Sequence, residues 1–277
     1  MSRKLRMAID AGDVDLVRSI VTDDPAQASA LISWGPMLCP CKTEPLHYLS
    51  DGPFNQLWKH GKQAELAAVL IEAGAPVDGL PTSGETPLHG AASLGEAGVA
   101  EVLIDNGANI EAKASYPGIP HGTPLDFAVH FGMVEVVDLL IRHEAEVKLT
   151  RMAAGAGQTD RIRAEIETLH SNPQQLADVY QCAAVCSRIE IVDVLLTAGL
   201  DVNADIKGAT ALHWAAWEAK PEMVSHLLAK GADASLEDEK HNLTPLGWAE
   251  HRRKEVGPRW GHDEVVEILS ATKRNVQ

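Results

Sequence analysis

Histidine is a common choice for acid–base chemistry and for metal binding, and three histidines of this chain lie in nearly identical phrases. His89 lies in TPLHGAA, His213 in TALHWAA and His47 in EPLHYLS. Two further copies, TPLDFAV and TPLGWAE, place Asp126 and Gly247 where the others have histidine. A catalytic role shared by all copies would not survive these replacements. A phrase written five times therefore indicates architecture rather than a catalytic centre.

The four cysteines are the other candidate metal ligands. Cys39 and Cys41 could form half of a zinc site with His47, but only one residue separates the thiols instead of two to four, and no second pair follows nearby. Cys182 and Cys186 stand four residues apart on one predicted helix, where Cys182 takes a position that aromatic residues hold in other copies. We predict four reduced, structural thiols and no metal. Because phosphate-binding and nucleophile motifs are also missing from the sequence, we predict no cofactor.

Composition limits the class of partner and the compartment. The chain has 277 residues, with 24 Lys and Arg against 39 Asp and Glu, so its formal net charge is −15. This charge argues against nucleic acid or an anionic membrane as the main partner. No stretch reaches the ~20 apolar residues of a membrane span, and the N-terminal stretch lacks the pattern of a signal peptide. With too few cysteines for a disulfide scaffold, the chain is predicted to be cytoplasmic.

The repetition extends along the whole chain. An alanine pair, or a small or apolar replacement, begins at positions 8, 49, 91, 128, 153, 183, 215 and 249. A turn with a Gly or another small residue follows each pair, and then an apolar run of helical period such as EVVDLLIRHEAEV. Each unit is thus predicted to be a short helix, a tight turn, a second helix and an extended exit. Thr and Pro at the first helix suit its N-terminus, and stacking buries apolar faces that one unit cannot bury alone.

Two copies are nearly complete: GETPLHGAASLGEAGVAEVLIDNGANIEA at 84–112 and GATALHWAAWEAKPEMVSHLLAKGADAS at 208–235. On these residues the chain resembles the ankyrin-repeat proteins, from one end to the other. The resemblance implies an all-α fold: an ankyrin-repeat solenoid of about seven to eight helix-turn-helix units with short β-hairpin fingers. It also implies one domain over residues 1–277.

The pattern is interrupted in several places. The step of 25 residues between the fourth and fifth units is too short for a complete finger. Trp58 and Trp260 lie in insertions and are predicted to pack as lids on exposed helix ends. The predicted irregular insertions cover residues 25–42, 51–60, 115–122 and 252–260.

The resemblance also implies roles for individual residues. The repeated histidines become scaffold residues whose rings hydrogen-bond to backbone and join neighbouring hairpins. An unidentified protein partner would bind on the concave face, at the two residues after each alanine pair and on the fingers. The predicted partner-binding residues are Ser93, Leu94, Tyr116, His130, Phe131, Ile206, Lys207, Trp217, Glu218, Lys240, His241, His251 and Arg252.

Trp217 and Phe131 are the predicted anchors of that surface, with Tyr116 and Ile206 on the fingers beside them. Trp217 and Phe131 occupy positions that the scaffold leaves free to vary, so Trp217→Ala is expected to cost at most about 0.5 kcal/mol of stability. The same change is expected to weaken binding by more than about 1 kcal/mol. Ala216→Trp should do the opposite, because the alanine pairs lie where helices touch.

A second function remains open at this stage: an enzyme or small-molecule-binding protein. Its pocket would be walled by the irregular insertions, with His121 and His130 beside Tyr116 as the candidate acid–base cluster. A closed, deep apolar pocket at the insertions would favour this alternative. An open groove would favour a non-catalytic module for protein–protein interaction.

Overall fold

The computed structural model describes residues 3–35, 41–55, 57–80, 84–256 and 261–276, and all structural statements concern these residues. They form sixteen α-helices, which follow each other in eight helix-turn-helix pairs as the repeat pattern predicts. The helices are α1 Arg3–Ala11, α2 Val14–Asp23, α3 Pro45–Phe54, α4 Gln63–Glu72, α5 Pro87–Leu94, α6 Ala97–Asp105, α7 Pro124–His130, α8 Val134–Arg142, α9 Thr150–Gly155, α10 Thr159–His170, α11 Pro173–Val185, α12 Ile189–Thr197, α13 Ala211–Trp217, α14 Pro221–Ala229, α15 Pro245–Val256 and α16 His262–Val276.

Helix α5 shows why the repeated phrase makes a short helix. The side chain of Thr86 accepts a hydrogen bond from the backbone N–H of His89, and the histidine ring accepts one from the N–H of Thr86. This reciprocal arrangement satisfies amides that a helix N-terminus leaves unpaired. The helix ends eight residues later at Gly95, whose φ of 75° is left-handed. Helix α13 begins with the same capping box, formed by Thr210 and His213.

The alanine pairs occupy the sites of closest helix approach. Ala91 and Ala92 of α5, and Ala215 and Ala216 of α13, are completely buried. Around them, the first helices of successive repeats pack on each other, as α3 does on α5 and α13 on α15. A larger side chain at these positions would have to displace a neighbouring helix, which is why the sequence repeats a small residue there.

Strands are few among the described residues. Strands β1 (Ile32–Trp34) and β2 (Cys41–Thr43) pair antiparallel, as do β3 (Ala114–Tyr116) and β4 (Ile119–Gly122). One more finger is reduced to a single bridge between Ile206 and Ala209. The other described connections between repeats are turns without strands, so the prediction of hairpin fingers holds for only part of the chain.

The predicted insertions take different structures. The stretch from 25 to 42 contains a 3-10 helix at Pro25–Ser29 and the β1–β2 hairpin. The stretch from 51 to 60 extends α3, and Trp58 is buried with its ring 4.8 Å from that of Tyr48, as expected for a lid. The stretch from 115 to 122 forms the β3–β4 hairpin. The last insertion lengthens α15 to Val256, and Trp260 lies outside the described residues.

The chain forms two compact units. One comprises residues 1–128 and 135–145, and the other comprises residues 129–134 and 146–277. In the second unit, two residues separate α10 from α11, leaving no room for a finger. The organisation as one domain over 1–277 stays a prediction. Among the described helices, none combines the length and the hydropathy that crossing a bilayer requires.

The turns inside the helix pairs provide a test of how closely neighbouring repeats pack. Gly61 and Gly132 both have left-handed φ values, 69° and 63°. A Cβ on Gly132 would lie 2.5 Å from the carbonyl oxygen of Val185, whereas a Cβ on Gly61 would meet nothing within 4 Å. We expect Gly61→Ala to cost about 1 kcal/mol from backbone strain alone. Gly132→Ala should cost about 1–3 kcal/mol more, because backbone must move. Urea denaturation of both variants measures the difference, and equal losses would contradict this packing.

Candidate functional site

The repeated histidines join neighbouring repeats. The Nδ1 of His89 lies 2.9 Å from the hydroxyl of Thr86, and its Nε2 lies 3.2 Å from the carbonyl oxygen of Gly122, in the next finger. His213 does the same, with Thr210 at 2.9 Å and the carbonyl oxygen of Leu243 at 3.0 Å. This geometry suits a neutral ring that donates from Nε2 and accepts at Nδ1.

Burial supports the same protonation state. It lowers the pKa of His89 and of His213, outweighing the hydrogen bonds to backbone that favour the charged ring. Both nitrogens of each ring are occupied, so neither histidine can take up a proton from a substrate. The scaffold role is confirmed for these two residues.

Asp126 shows how the scaffold tolerates loss of the histidine. Its carboxylate accepts a hydrogen bond of 3.2 Å from the N–H of Thr123, and the hydroxyl oxygen of Thr123 accepts one of 3.3 Å from the N–H of Asp126, which reproduces the capping box. His47 has a different setting. Its Nδ1 lies 4.0 Å from a carboxylate oxygen of Glu44, and burial lowers its pKa. The first unit thus contains a variant of the repeat in which an acid replaces the capping threonine.

An apolar cavity of about 530 Å³ opens in the second unit, beside the first helices of the last two repeats, α13 and α15. The two fingers that precede these helices form its other walls. We call it the tryptophan pocket. Its apolar lining consists of Trp214, Trp217, Trp248, Leu243 and Ala209.

The three indoles are held at steep angles to one another. The ring of Trp248 stands at the centre, 5.3 Å from that of Trp214 at 84° and 5.6 Å from that of Trp217 at 74°. The Nε1 of Trp214 donates to the carbonyl oxygen of Ile206 at 3.3 Å. The guanidinium of Arg252 lies over the ring of Trp217, 4.9 Å from the ring centroid. These edge contacts fix the walls before any ligand arrives.

Asp238 anchors the finger at the base of the pocket. Its carboxylate accepts from the Nε1 of Trp248 at 3.0 Å and from the backbone N–H groups of Lys240, His241 and Leu243 at 3.2, 2.9 and 2.9 Å. Burial opposes the ionised form, but these hydrogen bonds outweigh it and lower the pKa of Asp238 to about 2. The charge is therefore permanent, and its hydrogen-bonding capacity is used by the protein itself.

Five of the predicted partner-binding residues line this pocket. They are Lys207, Trp217, Lys240, His241 and His251. Glu218 and Arg252 lie beside Trp217, half-buried.

The prediction for Ile206 is wrong, because its side chain is 0% exposed and packs inside the finger. The two residues of the turn, Lys207 and Gly208, have φ values of 57° and 85°. Two successive positive values are typical of a tight hairpin turn, which points the turn outward and its flanking isoleucine inward.

The other predicted residues lie elsewhere. Tyr116 is 43% exposed on β3, with its ring 6.1 Å from that of Phe127, and His121 is exposed on β4. His130 and Phe131 form an edge contact with each other at 4.9 Å. Ser93 and Leu94 are half-buried at the end of α5. The proposed acid–base cluster and the binding role of these residues remain predictions.

Sequence reasoning missed six residues of the pocket: Gly208, Ala209, Trp214, Trp248, Asp238 and Leu243. The tryptophans entered that reasoning only as markers of the repeat register. The signal that could have found them is the spacing of the three indoles, at one fixed position in successive repeats and three residues further along the helix. An acid ten residues before a tryptophan, with a finger between them, was a second signal.

A polar cavity of about 630 Å³ lies in the first unit, next to the first insertion. Lys42 and Leu31 of that insertion contribute to its wall, together with His47. Burial and the charge of Glu85 raise the pKa of Asp51 to about 6, and burial raises that of Glu85. The lining of this cavity therefore includes two carboxyl groups with raised pKa values.

Two of the cysteines, Cys182 and Cys186, are buried in the core. Burial raises the pKa of Cys182 to about 12, and the thiol of Cys186 lies 3.6 Å from the carbonyl oxygen of Val129. Cys41 is exposed, and Cys39 lies outside the described residues. Within the described part of the chain, no three His, Cys, Asp or Glu side chains are placed to hold a metal ion. Reduced thiols without zinc stay a prediction.

The tryptophan contacts change the expectation for Trp217. An aromatic pair contributes about 0.5–1.5 kcal/mol and a cation–π contact about 0.5–1 kcal/mol. We therefore expect Trp217→Ala to cost about 1–2 kcal/mol, not the 0.5 kcal/mol of a residue without contacts. Ala216→Trp should cost on the order of 3 kcal/mol or more, because Ala216 is completely buried. Chemical denaturation measures the free energy of unfolding of both variants. A larger loss for Trp217→Ala would refute the assignment of Ala216 to the helix contact and of Trp217 to the pocket.

Glu218 makes stability depend on pH. Burial raises its pKa to about 7, against the charges of Lys220 and Arg252. Between the ordinary value of 4.5 and 7, the folded chain holds a proton that the unfolded chain has lost, so stability falls as pH rises through this window. Glu218→Gln should equal the parent near pH 4 and exceed its stability above pH 7. Glu222→Gln removes an exposed charge from the same unit as a control. Parallel curves for the parent and Glu218→Gln would contradict this account.

Several known proteins are similar to this chain. It is 25% identical to Fowlpox virus protein FPV022 over 287 residues, covering 91% of this chain and 45% of that protein. It is 29% identical over 198 residues to the ankyrin repeat and KH domain-containing protein mask-1 of Caenorhabditis elegans, covering 68% of this chain and 7% of that protein. The mouse B-cell lymphoma 3 protein homolog is 27% identical over 194 residues, covering 68% of this chain and 38% of that protein. The chain thus spans less than half the length of these relatives.

A solved structure and a family model are also similar to this chain. The crystal structure of the human ASB11 ankyrin repeat domain is similar over 97% of this chain and 98% of that one, with 20% identity and a TM-score of 0.45. The family described as ankyrin repeats (3 copies) matches residues 59–151, 152–238 and 181–276. These matches cover most of the sequence, and the chain belongs to the ankyrin repeat family.

Proposed function

We propose that this chain is a non-catalytic binding module that holds a segment of a protein partner in the tryptophan pocket. Ankyrin repeats are generally protein–protein interaction modules, which supports the class of function. The observation that carries the proposal is the pocket itself: three indoles and Leu243, which is 37% exposed, surround one open cavity. Apolar side chains gathered around a cavity typically mark a binding site.

The construction of the pocket also supports binding. Tryptophan is enriched among the residues that dominate interface energies. Here two indole N–H groups are already bonded within the protein, to Ile206 and to Asp238. The walls therefore lose little conformational freedom when a partner docks, which favours affinity.

The alternative of a small-molecule site or an enzyme has one supporting observation, the 630 Å³ cavity beside the first insertion. Its lining includes five charged residues and His47; the charged residues are Lys42, Glu44, Asp51, Glu85 and Lys113. A deep apolar pocket at the insertions would have favoured this alternative, and the lining is mainly polar instead. Protein binding is the better supported function. A nucleic-acid or membrane partner stays disfavoured by the charge of −15, and a cytoplasmic location stays a prediction.

The proposal is tested with a phage-displayed library of random peptides selected on the full chain. We expect enriched peptides that bind Trp217→Ala at least about tenfold more weakly, as hot-spot truncations do. Leu149→Ala, which removes an exposed leucine from the same unit, should bind them as the parent does. Circular dichroism verifies that both variants are folded.

Two results would overturn the proposal. One is a selection that enriches no peptide on the parent chain. The other is a set of peptides that bind the parent and Trp217→Ala equally well.

A further inference from the structure

We propose that the segment held in the tryptophan pocket is acidic, with one aromatic or branched aliphatic side chain flanked by Asp or Glu. This inference rests on the proposed function and names the chemistry of the partner. It is carried by two features of the pocket, its apolar interior and its cationic rim.

The interior selects an apolar anchor. Trp214, Trp217 and Trp248 present three indoles around a cavity of about 530 Å³, which is large enough for an aromatic ring. The only carboxylate in the lining, Asp238, is buried and already accepts four hydrogen bonds from the protein. A polar or charged anchor would lose its water and gain no partner there.

The rim selects acidic neighbours for that anchor. Lys207, Lys240, His241 and His251 all line the pocket, so its basic side chains outnumber its one acidic side chain although the whole chain carries −15. Such a local reversal of sign gives electrostatic complementarity to a segment rich in Asp and Glu.

Acidic groups of the protein neutralise part of this rim. Lys207 forms a salt bridge of 2.8 Å with Asp178, and His251 lies 3.3 Å from a carboxylate oxygen of Glu255. Lys240 differs from these two, because its ammonium forms no salt bridge with any described residue, and its side chain is exposed. Glu237 and Glu239 are exposed on the same finger, but neither forms a salt bridge with Lys240. Lys240 is therefore the rim cation that a partner carboxylate can reach most directly.

A cationic anchor is disfavoured by a contact already present. The guanidinium of Arg252 stacks on Trp217, 4.9 Å from the ring centroid. A lysine or arginine of the partner would meet this positive charge and the two lysines of the rim. Repulsion from three cations opposes the attraction that an indole face offers.

The experiment uses the full chain and three end-blocked peptides. They are acetyl-Glu-Asp-Phe-Asp-Glu-amide, the same peptide with Ala in place of Phe, and acetyl-Lys-Lys-Phe-Lys-Lys-amide. Binding is followed by the tryptophan fluorescence of the protein. We expect the acidic Phe peptide to bind about tenfold more tightly than either of the others, and added salt to weaken it.

A matched pair of variants tests the rim. Lys240→Glu should weaken binding of the acidic Phe peptide about threefold or more. Lys4→Glu makes the same change in net charge at an exposed position of α1, which does not line the pocket, and should leave binding unchanged. Equal effects of the two variants, or a Lys-flanked peptide that binds as tightly as the acidic one, would overturn the inference.

The random library separates this inference from the proposed function. Enriched peptides that depend on Trp217 and carry Asp or Glu around an apolar residue support both. Enriched peptides that depend on Trp217 but lack acidic residues, or carry basic ones, overturn the acidic segment and leave protein binding standing. A library without Trp217-dependent peptides overturns the proposed function, and the acidic segment with it.

Discussion

Where the repeated motif begins a first helix, as in α7 and α13, the N-terminus is buried, and its unpaired amides must find partners without reaching water. Threonine and histidine at this end solve the problem together, because the histidine closes the capping box with one nitrogen and reaches the next finger with the other. His89 and His213 make this connection to the carbonyl oxygens of Gly122 and Leu243. The requirement to satisfy one helix end thereby determines where the next repeat lies.

The same histidines position the aromatic residues of the following repeat. The ring of His89 touches Phe127 edge-on at 4.9 Å, and the ring of His213 touches Trp248 at 5.3 Å. These two pairs are equivalent in the repeat. Phe127 is completely buried, whereas Trp248 is larger and sends its N–H to Asp238 in its own finger. The contact that holds Phe127 in one repeat thus holds Trp248 in another, where the larger indole forms the central wall of the pocket.

Most of the fold could be predicted because the sequence motif that specifies each repeat recurs several times. The alanine pairs, the capping threonines and the glycines between helices each answer a local requirement, and repetition removes the ambiguity of any one copy. The fingers were less predictable, because their strands reduce to a single bridge or to turns. Ile206 illustrates the cause: one tight turn at Lys207 and Gly208 decides which side chain faces inward. Of the three indoles in the pocket, the sequence singled out only Trp217. Alignment of the repeats shows which positions vary, but it does not show which of the varying side chains contact each other.

The tryptophan pocket lies where the repeat allows the residue type to vary. The capping residues and the alanine pairs are constrained by backbone and by neighbouring helices, so a replacement must preserve the cap or the close packing, as Asp126 preserves the cap. The position after the histidine is constrained only in part. It is held by Phe127 in one repeat, by Cys182 in another and by Trp214 and Trp248 in the last two. Where two successive repeats place indoles there, a third indole one turn further along the helix, Trp217, can meet them. A pocket built in this way can vary at its rim while the histidines continue to connect the repeats.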